Sequence, residues 1–192
     1  RKHYDWPDLP KGYQLTISGP YSTEVGVDGN FEGIRIKEVH LEEDPASWNP
    51  ETGVIDYNRS GLPLVEIVTQ PDFKSVEEVG IWLKNLLLTL SYTKSIDKNA
   101  GIKADVNIST GRERVEIKNL NSIENIKKAI DTEIDRQKKD TPKEQHTRRF
   151  DEKTGKTNLM RTKEQAQDYR FIQDPDLPTI SLDEKEIIKI KN

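Results

Sequence analysis

Four sets of residues in this chain have types and spacings that suit chemistry. The run Leu62-Pro63-Leu64-Val65-Glu66-Ile67-Val68 places a single carboxylate inside an apolar strand pattern. A charged Glu66 buried there would cost several kcal/mol unless it were paired, hydrogen-bonded or bound to a cation. An arginine partner or an exposed strand edge would satisfy it, and so would a metal. His40-Leu41-Glu42-Glu43-Asp44 supplies further acid, and three consecutive carboxylates repel one another unless a cation or basic groups compensate. Strand alternation sets Glu38, His40 and Glu42 on one face and Glu43 on the other. A hard divalent cation such as Mg²⁺ binds through few carboxylates and keeps several waters, which acids from separate strands can supply.

The third set lies on two later strands. Over Ile102–Ser109, alternation puts Ile102, Ala104, Val106 and Ile108 on one face and Lys103, Asp105, Asn107 and Ser109 on the other. Over Arg114–Lys118, Val115 and Ile117 oppose Arg114, Glu116 and Lys118 in the same way. Adjacent strands of this kind make a sheet with one dry face and one charged face, which is either plain solvated surface or a reaction surface. Asn119-Leu120-Asn121-Ser122 reads as an N-cap cluster before a helix, and secondarily as a ligand site. The fourth set is basic: Arg1-Lys2, Lys11, Arg148-Arg149, Arg161-Thr162-Lys163 and Arg170. Phosphate chemistry needs such groups where negative charge develops, although single lysines and arginines are usually only solvated. His3, His40 and His146 have no nucleophile pattern near them, and neither G-x-S-x-G nor a full G-x-x-x-x-G-K-[ST] loop is present. Gly155-Lys156-Thr157 reads as a hairpin turn, and acyl-enzyme chemistry is unsupported.

Several elements must position these groups. Tyr13–Ser18, Phe31–Val39, Leu62–Thr69, Ile102–Ser109 and Arg114–Asn119 read as strands, with Asp28-Gly29 and Thr110-Gly111 as hairpin or bulge turns. Ser75, with Glu77 and Glu78 after it, caps a helix whose stripe is Val79, Trp82, Leu83, Leu86 and Leu90. A second helix carries Ile123, Ile126, Ile130 and Ile134 on one face. A shorter helix is expected over Thr162–Arg170, then a loop bounded by Pro175 and Pro178, then a helix from Asp183. The pattern is α+β, an antiparallel sheet covered by helices on one face.

Composition bounds the rest. The 192 residues are 32% hydrophobic and 33% charged, against roughly 45–50% and about 25% in average globular chains, so the chain looks short of core. No apolar run is long enough for a membrane span and no signal peptide is visible. With no Cys, disulfides and thiolate metal sites are excluded and a reducing, cytoplasmic location is expected. The net charge of −4 hides an uneven distribution: residues 1–102 hold 10 basic and 16 acidic side chains, and residues 103–170 hold 17 and 13. An acidic front suits divalent cations and a basic middle suits polyanions, though ordinary solvated surface accounts for the same counts.

Read together, these segments resemble the B-subunit family of the aspartyl/glutamyl-tRNA(Asn/Gln) amidotransferases. The resemblance is carried by Arg1-Lys2-His3-Tyr4, Pro7–Gln14, His40–Asp44, Asp56-Tyr57-Asn58-Arg59 and Pro63–Val68. It continues through Ala104–Ser109, Val115–Ser122, Thr147–Asp151, Met160-Arg161, Asp168-Tyr169-Arg170 and Asp174–Pro178, in the family's order. The Asp44–Trp48 run has an archaeal look. The resemblance implies a catalytic fold like that of glutamine synthetase and the guanidino kinases. It also implies a ligase reaction in two steps. ATP, with Mg²⁺, phosphorylates the side-chain carboxylate of Asp or Glu misacylated on tRNA(Asn) or tRNA(Gln). Ammonia from a partner amidase subunit then displaces the phosphate. The implied assembly is a heterotrimer with amidase (A) and small C subunits. By position, Glu43 and Glu66 match the family's metal-binding acids with Glu42 beside them. Lys2 and Lys11 match residues near the ammonia exit or the phosphates. Lys2, Glu43 and Glu66 are the catalytic candidates. Arg59, Asp105, Asn107, Lys118 and Asn119 are candidates for nucleotide contact from the polar sheet face.

Residues 1–178 are expected to be the central part of the kinase and transamidase domain, with 179–192 opening the following segment. The family's preceding Gly-Leu-Glu-x-His strand, its cysteine-rich knuckle and its following tRNA-gripping helical domains have no counterpart in these residues. Lys103 stands where bacterial members tend to carry Arg. The chain alone is therefore expected to lack activity, and glutamine- and ATP-dependent conversion of Asp-tRNA(Asn) by these 192 residues alone would refute that. Two alternatives compete: a non-catalytic RNA- or partner-binding module, and an ATP-dependent carboxylate–amine ligase acting on a free small molecule.

Overall fold

Ser75 and Ser122 each stand before a helix and cap it identically. Ser75 Oγ accepts from Glu78 N and Ser122 Oγ from Asn125 N, both at 3.1 Å, satisfying first-turn donors that have no partner within the helix. The helices that follow are α1 (Val76–Thr93) and α2 (Ile123–Lys139). In this computed structural model the described residues are 1–16, 19, 24–49, 51–97, 100–111, 113–162, 170–178 and 180–191, without the side chains of Asn119 and Lys191. The chain divides into two units, one of Arg1–Val27, Glu38–Ile67 and Tyr169–Asn192, the other of Asp28–Lys37 and Val68–Asp168.

The second unit is built on α1, α2 and four strands: β8 (Ala104–Ile108), β9 (Val115–Leu120), β10 (His146–Asp151) and β11 (Lys156–Thr162). The sheet order is β11-β10-β9-β8. Ile126, Ala129 and Ile130 of α2 pack on Ile108, Ile117 and Leu120 of the sheet, with Val76 of α1 and Phe150 of β10 in the same cluster. Val79, Leu83, Ile102, Ala104, Val106 and Ile134 pack around it. The isoleucine stripe of α2 and the dry faces of β8 and β9 therefore meet as the alternation predicts. The sheet is not purely antiparallel, however. β9 and β10 run parallel, His146 opposite Val115 and Arg149 opposite Lys118, because α2 is the crossover that returns the chain to the same end. The β10–β11 hairpin turns at Gly155 (φ +64), so Gly155-Lys156-Thr157 is a turn as expected.

Seven strands precede these: β1 (Lys2–His3), β2 (Tyr13–Gln14), β3 (Gly26–Phe31), β4 (Ile34–Glu43), β5 (Ser47–Trp48), β6 (Ile55–Asp56) and β7 (Pro63–Thr69). β1 pairs with β2 and β5 with β6, both antiparallel. β3, β4 and β7 form a three-stranded sheet in that order. Two strand expectations need correction. The strand expected over Phe31–Val39 is present as β4 from Ile34 on, but its start is shifted, because the chain turns at Glu32-Gly33 (φ 48 and 84) with Asn30 Oδ1 accepting from Gly33 N at 3.1 Å. Asp28-Gly29 lies inside β3, where a Cβ on Gly29 would stand 3.3 Å from that of Ile36. The hairpin alternative therefore fails, the positive φ of Asp28 (54) fits the bulge alternative, and the glycine allows a close approach between strands. The strand expected over Tyr13–Ser18 shortens to two residues plus a single bridge from Thr16 to Glu42, with 17 and 18 outside the described residues.

Thr162, expected to open a helix, instead ends β11, and residues 163–169 lie outside the described residues. The last helix, α3 (Glu184–Lys191), begins after Asp183, whose carboxylate accepts from Lys185 N at 2.9 Å. Among the described residues no helix is long and apolar enough to cross a membrane. The result is a mixed α/β chain with several antiparallel pairings and three helices among the described residues.

Candidate functional site

The end of β4 and the β1–β2 segment bring several of the expected residues together. Glu43 N donates to Leu15 O at 3.0 Å, and Gln14 Nε2 donates to Glu43 O at 2.7 Å, so the strand end is fixed against β2. This aims the Glu43 carboxylate at Lys11, whose Nζ bonds both oxygens at 2.5 and 2.7 Å, while Leu15 N donates to one of them at 3.0 Å. Glu42, on the other face, accepts from Thr16 Oγ1 at 3.1 Å. His40 is buried with Glu38 at 3.4 Å from Nε2, in keeping with the alternation. Lys2 sits in β1 opposite Gln14 and bridges to Phe171. Near it, burial pushes the Asp8 carboxyl above its usual range, against backbone donors and the field of Lys2.

Arg59 is not on a sheet face. It follows β6 in a loop, donating Nε to Pro45 O at 3.2 Å and standing 3.7 Å from Asp44. Glu66 is exposed on β7, at the edge of its sheet, so the desolvation that made it a candidate does not apply. Among the described residues no three acidic or histidine side chains gather as a metal site. Glu43 also has both oxygens committed to an ammonium and a backbone donor. The donor set therefore does not fit a Mg²⁺ held jointly by Glu42, Glu43 and Glu66, because Lys11 would have to leave first.

The second unit carries the polar sheet face. Lys118 Nζ lies 2.6 Å from Asp105 and 3.0 Å from Glu116, and Glu116 also accepts from Thr147 Oγ1 at 3.3 Å. Burial alone would lower the Lys118 pKa, but the two carboxylates outweigh it and raise it, so a charged ammonium is fixed there. Asn107 is exposed on β8 opposite Glu116. Asn119 is a backbone member of β9 with its side chain outside the described residues. The expected row of Asp105, Asn107, Glu116 and Lys118 is thus a real surface, extended by Thr147 and Arg149 of β10.

A buried polar cluster on the other side of this sheet escaped sequence reasoning. Glu133 of α2 is fully buried. It accepts from Arg136 at 2.7 Å, Gln137 at 3.0 Å and Thr157 at 2.7 Å, with Arg148 at 3.6 Å. Burial pushes its carboxyl up, but these donors prevail and hold it below the usual range. Burial, then Arg136, lowers Arg148. Gln137 Oε1 accepts from Thr110 N and Oγ1, both at 3.0 Å, tying α2 to the end of β8. Glu133 and Gln137 flank the Ile130–Ile134 stripe, and only that position hinted at burial.

Comparison with known proteins adds a family. Residues 1–188 match the model of the GatB/GatE catalytic domain. Over 189 residues the chain is 48% identical to the B subunit of the aspartyl/glutamyl-tRNA(Asn/Gln) amidotransferase of Methanopyrus kandleri, covering 96% of this chain and 40% of that protein. The B subunit from Methanocaldococcus jannaschii is 48% identical over 200 residues, covering 100% and 41%. That from Methanobrevibacter smithii is 47% identical over 192 residues, covering 97% and 42%. The chain spans about two fifths of the length of these relatives.

Proposed function

Because this chain belongs to the GatB/GatE catalytic domain family, we propose that it works as the phosphoryl-transfer and amidation portion of a tRNA-dependent amidotransferase, with a glutamine synthetase-like catalytic fold. The observation that carries the reading is the match along residues 1–188, with relatives near 48% identity named as the B subunit of that enzyme. In this reading a side-chain carboxylate oxygen of Asp-tRNA(Asn) or Glu-tRNA(Gln) attacks the γ-phosphorus of ATP, and ADP leaves. Ammonia from the amidase (A) subunit then attacks the acyl carbon, orthophosphate leaves, and nitrogen loses a proton to give the amide. A small C subunit completes the cytoplasmic assembly.

Phosphoryl transfer between two anions asks the protein for fixed positive charge and positioning more than for a nucleophile. Lys118, kept charged by Asp105 and Glu116, is the proposed positioning donor on the sheet face, with Asn107 beside it. Lys2 and Lys11 are the cations proposed for the other unit, toward ammonia and phosphate. Mg²⁺ belongs to the proposal as the companion of ATP, and no step runs through it.

The test is amidation of Asp-tRNA(Asn) by the assembled enzyme with glutamine and ATP. ATP-dependent product is expected, together with about a hundredfold loss of kcat for Lys118→Ala, the scale of removing one charged stabilising contact. Amide formation independent of ATP, or full activity in Lys118→Ala, would overturn the reading.

A further inference from the structure

Three strands of the second unit end around a cavity of about 240 Å³ whose lining includes Arg114, Glu116, His146, Thr147, Arg161 and Thr162. His146 N donates to Arg114 O at 3.3 Å, joining the start of β9 to β10. Across β10 and β11, Thr147 lies opposite Arg161 and His146 opposite Thr162. Thr147 is in turn opposite Glu116, so Arg161, Thr147 and Glu116 share the face away from α2. The β10–β11 register slips between Thr147 and Arg148, at the position where Arg161 enters the cavity. Such bulges re-aim a side chain and are common beside functional sites.

Among the described residues the lining sets two guanidinium groups against one carboxylate. Glu116 is its acid, and Lys118 at 3.0 Å and the Thr147 hydroxyl at 3.3 Å already engage that carboxylate. Among the described residues no carboxylate pairs with Arg114 or Arg161. His146 Nε2 stands 3.5 Å from Glu144, while its Nδ1 is buried and has no hydrogen-bond partner among the described residues. Two guanidinium groups, an unmet ring nitrogen and the Thr162 hydroxyl therefore face a space below the roughly 300–1,000 Å³ of sites that enclose whole ligands. That space admits a phosphoryl group without its nucleoside, and guanidinium forks match phosphate oxygens two at a time.

We propose that Arg114 and Arg161 form a subsite for a phosphate dianion at the β9–β10–β11 end of the sheet. The two guanidinium groups, set against the single Glu116 carboxylate of the lining, match a terminal phosphate or free orthophosphate better than a singly charged phosphodiester. The source of that phosphate, nucleotide or leaving group, rests on the proposed phosphoryl-transfer chemistry, whereas the affinity rests on the cavity alone.

Calorimetric titration of the protein with inorganic phosphate tests it. Saturable one-to-one binding is expected, weakened about tenfold or more in Arg114→Ala and in Arg161→Ala, on the scale of one lost charged hydrogen bond. Arg161→Lys, which keeps the charge and loses the fork, should fall between. Lys128→Ala, in a separate cavity beside α2, should bind like the parent. A parallel loss of ATP binding in the two arginine variants assigns the subsite to the nucleotide's terminal phosphate. A loss confined to orthophosphate assigns it to the leaving group. No phosphate binding by the folded parent protein, or binding untouched by both substitutions, overturns the proposal. So does binding of an oligonucleotide lacking terminal phosphates that falls in these variants while orthophosphate binding does not. Phosphate binding that persists while amidation fails would sink the functional reading and leave the subsite standing.

Discussion

Lys11 Nζ grips both carboxylate oxygens of Glu43, at 2.5 and 2.7 Å, so the acid at the end of β4 is neutralised by the chain's own ammonium. A cation reaching Glu43 must displace Lys11. Lys11→Ala is therefore expected to raise Mg²⁺ affinity several-fold in a calorimetric titration, and Glu43→Ala to abolish that gain when combined with it. The Lys11 side chain is 37% exposed, so the fold should lose only about 0.5 kcal/mol or less. Equal Mg²⁺ binding in the parent and Lys11→Ala would show that the pair does not compete with metal.

Glu133 is the buried charge on which α2 and the β10–β11 hairpin converge. Removing it leaves Arg136 and Arg148 facing one another without their counter-ion. Glu133→Ala should cost about 3 kcal/mol in urea unfolding, the usual scale for breaking a buried ion pair from one side. Glu133→Gln keeps the shape and part of the hydrogen bonding and should cost less. A loss under about 1 kcal/mol for the alanine variant would mean that water replaces the carboxylate in the cluster.

Acid should unfold the second unit through lowered carboxylates. The hydrogen bond from the Arg35 guanidinium, with that from Arg35 N, holds Asp72 down to about 2, and Glu133 is also held below its usual range. A carboxylate whose pKa falls on folding stabilises fully above its unfolded value, roughly 4, and loses that contribution as pH drops toward the folded value. Urea midpoints should thus be flat from about pH 7 to 5 and decline below about 4.5, with the Asp72 share persisting longest. A midpoint rising on acidification would reverse the sign and refute the assignment.

The parts of this chain that sequence made legible are those governed by periodicity. Ile126 and Ile130, the Ser75 and Ser122 caps and the alternation of β8 and β9 follow from spacings of 3.6 and 2, so the core and the polar sheet face could be drawn in advance. β10 and β11 were missed because His146-Thr147-Arg148-Arg149 and Lys156-Thr157-Asn158 look like solvated loop. Arg148 and Thr157 turn inward there only because Glu133 waits on α2. The same cause hid the parallel β9–β10 pairing. For Glu66 the apolar run left burial and an exposed strand edge both open, and the edge position of β7 realises the second. At the candidate site, the acids were legible as types, but the Lys11–Glu43 pairing depends on a β2–β4 contact that no local pattern encodes.

Trp82 offers a test of how the β3–β4 turn is held to α1. Its Nε1 donates to Phe31 O at 2.8 Å, and its ring meets Phe31 and Phe73 edge-on, with centroids 5.9 and 5.4 Å away. Trp82→Phe preserves most of the apolar contact but leaves the Phe31 carbonyl without its donor, so a loss of about 1–2 kcal/mol is expected. Trp82→Ala adds a cavity and should cost about 3–5 kcal/mol. Amide exchange separates the two effects. In the Phe variant, faster exchange should be confined to the Glu32–Arg35 turn, because that hydrogen bond pins the turn to the helix together with Asn85 Nδ2, which donates to both Glu32 carboxylate oxygens at 2.9 Å. In the Ala variant it should spread along α1 as the packing fails. Uniform acceleration in both variants would mean that the indole acts only as bulk, and that the hydrogen bond to Phe31 contributes nothing to holding the turn.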